Sequence, residues 1–287
     1  MPELPEVETV RLGLVPLLEG ARFRRVTQRR ADLRIPFPPN FAKCLTGRRV
    51  LELGRRGKYL LASLDDAHTL VMHLGMSGRF RIVPDGESTK TKRLSLGPHD
   101  HVIFTTDKNV QVVFSDHRRF GLMTLVPTNE VAKHPLFADM GVEPLSADFS
   151  AQYLGQALAH SRASIKSRLL DQSVVAGLGN IYVCEALFRA HISPRRKAGS
   201  LVSAKASAQR IEELVAAIRA VLDEAIKAGG SSLRDYVQAD GSTGRFQHNF
   251  AVYGRENENC LNCGPNIRIR RIVQAGRSTF YCRICQK

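Results

Sequence analysis

Four cysteines near the end of the chain constrain its fold more than any other feature. They form two pairs, Cys260–Cys263 and Cys282–Cys285, with two residues inside each pair and eighteen between the pairs. In a chain that opens without a secretion signal, this spacing predicts one tetrahedral zinc site rather than two disulfides. We therefore expect a zinc ribbon over residues 251–287, with one structural Zn²⁺ held by all four thiolates.

The charge of the chain indicates a polyanionic partner. There are 42 Lys and Arg residues against 27 Asp and Glu, a net charge of +15. The predicted ribbon, from Cys260 onwards, contains six of these cations and no acidic residue, which favours contact with phosphates. Nucleic acid is preferred over a membrane, because no apolar run approaches the roughly 20 residues that span a bilayer. We expect a cytoplasmic protein.

The first half of the chain has the pattern of an antiparallel β-sandwich. An amphipathic helix comes first, with Val7, Val10, Leu14 and Leu18 on one face, an end at Gly20, and a kink or break at Pro16. Short β-rich runs separated by turn residues then continue to residue 126, and residues 84–98 read as a surface loop. The predicted strands are 23–28, 50–53, 59–64, 70–74, 80–83, 102–106, 110–114 and 122–126.

Helical patterning dominates the second half. An apolar stripe over 211–226 ends at Gly229-Gly230, and shorter helices are predicted over 151–159 and 180–190. The turn-rich junction at 177–180 between the shorter helices is typical of a helix–two-turns–helix module. The predicted fold is α+β with two domains: a β-sandwich domain over 1–130, a hinge over 131–150, a helical DNA-binding domain over 151–250, and the zinc ribbon over 251–287.

The first residues carry a potential nucleophile. Removal of Met1, which a small following residue permits, would leave Pro2 with a free secondary amine, and Glu3 is the nearest carboxylate in the chain. Such an amine can form an iminium with a carbonyl-like carbon, while the carboxylate moves the protons that this chemistry requires. The alternative is structural, since Pro2 and Pro5 can also rigidify the entry to a helix.

Six short motifs, in order along nearly the whole chain, resemble the formamidopyrimidine-DNA glycosylase family. Each motif is too short to be decisive alone, but their number and order make coincidence negligible. The resemblance implies a monomer that acts on double-stranded DNA containing oxidised bases or abasic sites. The motifs are Pro2 to Val10, Gly57-Lys58-Tyr59-Leu60, His73-Leu74-Gly75-Met76-Ser77-Gly78, Arg118-Arg119-Phe120-Gly121, Gly179-Asn180-Ile181-Tyr182 and Thr279-Phe280-Tyr281-Cys282.

The resemblance also implies roles for single residues. Pro2 attacks the sugar, Glu3 protonates the ring oxygen, Lys58 transfers a proton and contacts phosphate, and Arg277 assists the second elimination. The residues implied to contact DNA fall into three groups. Met76, Arg118 and Phe120 fill the space left by an extruded base; Asn180 and Arg277 clamp phosphates; and His73, His99, Arg162 and Lys166 make other contacts, although His73 can equally be a hydrogen-bonded structural histidine.

Residues 240–246 lie where the family has a lesion-capping loop, whose glycines let backbone amides approach an oxidised purine. Two positions depart from the family pattern. His117 replaces a proline, and Arg245 occupies a position that is often aromatic. We expect excision of oxidised purines by glycosylase and lyase chemistry. The alternatives are an endonuclease VIII-like activity on oxidised pyrimidines and a non-catalytic DNA-binding protein.

Overall fold

The chain forms two compact units. The computed structural model describes residues 1–84, 96–202, 207–232, 238 and 241–287, so most of the predicted loop at 84–98 lies outside the described residues. The first unit comprises residues 1–138 and 229–245, and the second comprises 139–228 and 246–287. The segment 229–245 thus packs with the β-rich unit, and the predicted ribbon shares a unit with the helices.

Two four-stranded antiparallel sheets form most of the first unit, in the orders β1-β6-β7-β5 and β2-β3-β4-β8. One apolar core draws on both sheets and on the first helix, as a sandwich requires. The predicted α+β class and all eight predicted strands are confirmed. The strands are β1 (Phe23–Gln28), β2 (Val50–Arg56), β3 (Tyr59–Leu64), β4 (His68–His73), β5 (Arg79–Pro84), β6 (Asp100–Thr106), β7 (Val110–Ser115) and β8 (Leu122–Pro127).

Helix α1 (Leu4–Leu18) packs its apolar face into this core, with Val7, Val10, Leu14 and Leu18 buried as predicted. The expected break at Pro16 is wrong, because the helix continues to Leu18. A proline so close to the end forfeits a single intrahelical hydrogen bond, and burial of the flanking leucines outweighs that loss. A short helix, α2 (Phe41–Leu45), follows β1.

In the part of the second unit that the structure describes, four α-helices pack with a ribbon. The predicted helices are confirmed as α3 (Ala151–Leu158), α5 (Asn180–Arg189) and α6 (Ser207–Lys227), and α6 ends just before the two glycines. Helix α4 (Ile165–Leu170) was not predicted; it begins at Ser164, whose hydroxyl accepts the backbone N–H of Ser167. Among the described residues, no helix has both the length and the apolar character needed to cross a membrane.

The ribbon contains β9 (Asn259–Cys260), β10 (Gly264–Arg268), β11 (Arg270–Gln274) and β12 (Arg277–Tyr281), paired as two hairpins. It packs on α5 through a small core that includes Cys184, Phe188, Ile269 and Phe280. Glu185, fully buried in α5, accepts the backbone N–H groups of residues 251, 252 and 253 at 2.8–3.0 Å. These charge-assisted bonds join the helix to the chain that enters the ribbon.

Candidate functional site

Pro2 and Glu3 lie at the N-terminus of α1. Both are buried, and Glu3 is the N-cap residue, with extended backbone angles (φ −99°, ψ −173°). A capping box closes the helix start: the Glu3 side chain accepts the N–H of Glu6, and the Glu6 carboxylate accepts the N–H of Glu3 at 2.8 Å. The helix therefore fixes the backbone on which the predicted nucleophile and its carboxylate are carried.

Lys58 and His73 lie near each other at the ends of paired strands. Tyr59 of β3 pairs with His73 of β4, so Lys58, which precedes Tyr59 in the tight turn after β2, lies beside the end of β4. Burial, with the positive charges of Lys58 and Arg34, lowers the pKa of His73 to about 4. The ring is therefore neutral near pH 7, and its Nδ1 accepts the N–H of Gly75 at 2.9 Å.

The predicted wedge residues lie on two loops that contact each other. Arg79 of β5 pairs with Ser115 of β7, which places Ser77 beside Asp116. The buried Asp116 carboxylate accepts the hydroxyl of Ser77 at 2.5 Å and the N–H of Gly121 at 2.7 Å. One carboxylate thereby holds the Met76 loop and the Arg118–Phe120 loop together.

The wedge side chains themselves reach solvent. Met76 is 38% exposed and Phe120 is 44% exposed. The guanidinium carbon of Arg118 lies 4.7 Å from the centre of the Phe120 ring, a cation–π contact. The sequence prediction of exposed loop tips therefore agrees with the positions of these three side chains.

Three histidines lie near the Arg118–Phe120 loop. His99 and His117 are exposed, and their ring centres lie 6.1 Å apart. His101 is buried, and its Nε2 lies 2.8 Å from the backbone oxygen of Asp116. Burial lowers the pKa of His101, although its bond to that oxygen opposes the shift. His117, one of the two departures from the family pattern, thus neighbours a residue predicted to contact DNA.

In the second unit, two side chains support strand β12 next to Arg277. Asn180, the first residue of α5, donates from Nδ2 to the backbone oxygen of Ser278 at 3.0 Å. Lys166 is completely buried and donates to the same oxygen at 3.1 Å and to Thr279 Oγ1 at 2.6 Å. Arg277 is exposed, as is Arg162 before α4. Lys166 therefore supports the ribbon from inside, whereas Arg277 faces solvent.

The four ribbon cysteines fit a tetrahedral metal site. Their sulfur atoms all lie within 4.8 Å of one another, and the Cys260–Cys285 and Cys263–Cys282 pairs are each 3.8 Å apart. Zn–S bonds of about 2.3 Å arranged tetrahedrally give S···S distances of about 3.8 Å. Burial opposes ionisation of Cys282, but the N–H groups of Cys285 and Ile284 lower the pKa of its thiol. Burial and the neighbouring thiols instead raise the pKa of Cys263 and Cys285. Backbone N–H donors at Cys282 favour the thiolate, the form of cysteine that binds a metal.

The segment predicted to cap the lesion is partly described, with Asp240 outside the described residues. Arg245, within this segment, forms an isolated antiparallel bridge with Ser231. Gly244 donates its N–H to Ser232 Oγ at 2.9 Å, and a Cβ at Gly244 would lie 2.3 Å from the oxygen of Gly230. Only glycine fits there. Arg245, the other departure, has an exposed side chain.

Sequence reasoning missed the carboxylates that organise these loops. Asp116, Glu6 and Glu185 are all buried, and each accepts backbone N–H groups from a distant or looped segment. Arg34 was missed as well, although its charge acts on His73. Asp116 lies two residues before the Arg118 motif and Glu6 lies within the first motif, so position in or beside a motif was an available signal. Nothing local marks Glu185 or Arg34.

Comparison with known proteins identifies the family. Residues 1–123 match the formamidopyrimidine-DNA glycosylase N-terminal domain, and residues 140–237 match the H2TH domain of the same family. Curated formamidopyrimidine-DNA glycosylases from Beijerinckia indica and Phenylobacterium zucineum are each 56% identical, with both chains covered completely. The chain belongs to the formamidopyrimidine-DNA glycosylase family.

Solved structures of the family share the fold. The MutM (Fpg) protein of Thermus thermophilus is 41% identical, with a TM-score of 0.84 over 99% of this chain and 98% of that one. A Lactococcus lactis Fpg variant bound to DNA containing Fapy-dG is 36% identical, with a TM-score of 0.86 over both complete chains. The same bacterium's Fpg with abasic-site DNA is 35% identical, at a TM-score of 0.85 over 99% of each chain.

Proposed function

We propose that this protein removes oxidised purines, formamidopyrimidines and 8-oxoguanine, from double-stranded DNA and then cleaves the strand at the resulting abasic site. The observation that carries the proposal is the placement of Pro2 and Glu3 together at the capped start of α1. It is supported by the names of the full-length relatives and by the DNA lesions bound to the Lactococcus lactis protein.

The reaction uses the chain's own residues. After loss of Met1, the Pro2 nitrogen bonds to the sugar C1′, the glycosidic bond breaks, and the base leaves with a proton. Glu3 protonates the ring oxygen, which opens the sugar and leaves an iminium on Pro2. Loss of a C2′ proton to a base then expels the 3′ phosphate, and a second elimination expels the 5′ phosphate.

The remaining catalytic roles go to two cations. Lys58 is buried beside the β2–β3 turn, where it transfers protons and contacts phosphate during elimination. Arg277 stands exposed on the ribbon, where it stabilises the departing 5′ phosphate.

The wedge fills the space left by the extruded base. An enzyme that acts on a base must take it out of the duplex, and unstacking leaves a gap and an orphaned partner. Phe120 stacks on the neighbouring base, Met76 fills the remaining volume, and Arg118 donates to the acceptor edge of the estranged cytosine. Their exposure on two joined loops supports this assignment.

The second unit binds the DNA backbone. Zn²⁺ held by Cys260, Cys263, Cys282 and Cys285 keeps the ribbon folded, and the sulfur distances support that ligand set. Asn180 and Arg277 clamp phosphates, and His73, His99 and Arg162 complete the DNA-contact set. Lys166, predicted to contact DNA, is completely buried and instead acts through β12.

We propose the functional segments that the sequence predicts: a catalytic domain over 1–130, a hinge over 131–150, a DNA-binding module over 151–250 and the ribbon over 251–287. The compact units differ from this division in that residues 229–245 belong to the first unit. The protein works as a monomer. Because its substrate is chromosomal DNA, we place it in the cytoplasm of a bacterium.

Oxidised pyrimidines are a second candidate substrate class. A wild-type Lactococcus lactis Fpg structure, 36% identical, contains DNA with an oxidised pyrimidine. Measured excision of an oxidised pyrimidine and of 8-oxoguanine from otherwise identical duplexes decides the preference, and the proposal requires faster release of the purine.

The decisive experiment is intact-mass measurement before and after borohydride treatment with an 8-oxoguanine duplex. The expected result is a protein that lacks Met1 and a covalent adduct mapping to Pro2. Pro2→Gly should lose most excision while it retains affinity for an abasic-site analogue, because only the nucleophile is altered. Retained Met1 without an adduct would leave a non-catalytic DNA-binding protein.

A further inference from the structure

One buried carboxylate connects the N-terminal residues to a segment more than two hundred residues away in sequence. Glu6 is 2% exposed. Its Oε2 accepts the backbone N–H of Glu3 at 2.8 Å, and its Oε1 accepts the backbone N–H of Ser231 at 2.8 Å. Both oxygens of a single rigid group are thus bonded to backbone, one on each side.

The segment on the far side is tightly built. We call Gly230–Ser232 together with Gly244–Arg245 the loop base, since Gly244 and Arg245 belong to the segment predicted to cap the lesion and contact residues 230–232. Ser231 bridges Arg245, and a Cβ at Gly244 would lie 2.3 Å from Gly230 oxygen and 2.6 Å from Gly229 oxygen. Backbone lies directly on backbone here, so a shift at Gly244 must move Gly230 and its neighbour Ser231.

The other partner of Glu6 is the peptide that carries the proposed nucleophile, Pro2. Glu3 is bonded to Glu6 through its N–H, and that N–H belongs to the peptide joining Pro2 to Glu3. Hydrogen bonds to a buried carboxylate are short and strong, and the positive pole of α1 strengthens them further. A planar carboxylate cannot rotate toward one partner without leaving the other, so the two backbone segments hold fixed positions relative to each other.

We propose that Glu6 is a positioning residue, whose carboxylate fixes the position of the Pro2–Glu3 peptide relative to the loop base. This inference rests on the proposed function, in which Pro2 is the nucleophile. It assigns Glu6 no contact with the reacting atoms. Its role is to keep the amine aligned with the sugar, so that the state of the loop base alters the rate of iminium formation.

The side chain at position 6 must offer two acceptor oxygens at this reach. Glutamine has one acceptor and places an amide N–H₂ against the other backbone donor, which leaves that donor unsatisfied. Aspartate retains the charge but draws both oxygens back by one methylene. Neither replacement serves Glu3 and Ser231 together.

The test measures iminium trapping by borohydride on a duplex with a preformed abasic site, which needs no lesion recognition. We expect Glu6→Gln to slow single-turnover trapping by about tenfold or more, because one buried backbone N–H is left without an acceptor. Affinity for a tetrahydrofuran-containing duplex should remain unchanged, so the effect falls on kcat and not on KM. Glu8→Gln is the matched control, because Glu8 lies on the same helix but binds Arg11 and Arg55.

A double-mutant cycle tests the connection itself. Gly244→Ala displaces the loop base and should slow trapping in the wild-type background but have little further effect in Glu6→Gln. Effects that multiply independently would overturn the proposal, as would trapping by Glu6→Gln at the wild-type rate. If Glu6→Gln fails to bind the tetrahydrofuran duplex, Glu6→Asp takes its place with the same expected slowing. Absence of trapping by the wild-type protein would instead overturn the proposed function.

Discussion

Replacement of Gly75 by alanine tests how the two wedge loops are held together. Gly75 has φ +64°, and a Cβ built there would lie 2.3 Å from the backbone carbon of Phe120 and 2.5 Å from the nitrogen of Gly121. An ordinary contact begins near 3.4 Å, so the Phe120 backbone must move by 3.4 − 2.3, about 1.1 Å. A misplacement of about 1 Å can cost roughly 10²-fold in rate.

The matched control is Gly20→Ala. Gly20 has a similar φ of +71°, but nothing lies within 4 Å of its added Cβ. Both variants therefore carry the left-handed backbone penalty of about 1–2 kcal/mol, and Gly75→Ala adds about 1–3 kcal/mol of steric strain. Thermal unfolding measures the difference in stability between the two variants. The single-turnover rate of 8-oxoguanine release measures how far the displaced Phe120 backbone slows base removal. Equal release by the two variants would refute the idea that the Gly75–Phe120 contact sets the wedge geometry.

Two further predictions concern acidity and metal. Burial, with Lys58 and Arg34, lowers the pKa of His73 to about 4, so the unfolded chain binds more protons between that value and the ordinary one near 6.5. Stability should therefore fall as pH drops through this window, by about 2 kcal/mol at pH 5. His73→Asn should flatten this pH dependence in thermal melts because asparagine does not titrate, while its side-chain oxygen can still accept the Gly75 N–H. Removal of zinc by a chelator should abolish duplex binding while the unfolding transition of the first unit persists. If protein that atomic absorption shows to lack zinc binds the duplex with unchanged affinity, the metal has no structural role in binding.

Local pattern was sufficient to predict the β-sandwich strands. A short β-rich run bounded by turn residues predicts β3, and its predicted and observed limits, Tyr59 and Leu64, coincide. Pattern failed where elements are short. Helices α2 and α4 have five and six residues, too few for a 3.6-residue period to repeat. The helix break predicted at Pro16 does not occur, because Pro16 lies in the last turn of α1, where a proline costs little.

Long-range pairing was beyond the reach of the sequence. Nothing local assigns β8 to the sheet of β2, β3 and β4, or segment 229–245 to the first unit. The site shows the same division. The motifs marked exposed side chains such as Met76 and Phe120, whereas the roles of the buried carboxylates Asp116 and Glu6 in joining backbone segments became visible only through their hydrogen bonds.

The exposed stack of Arg118 on Phe120 gives the wedge a spectroscopic use. The chain contains no tryptophan, so the protein is nearly silent at the wavelengths where indoles emit. An indole in place of Phe120 would be the sole fluorophore of its kind, covered by a guanidinium in the free protein and by bases once inserted. The indole emission would then differ between the free protein and the protein inserted into a duplex. Time-resolved emission would therefore report how long the protein stays inserted while it searches DNA.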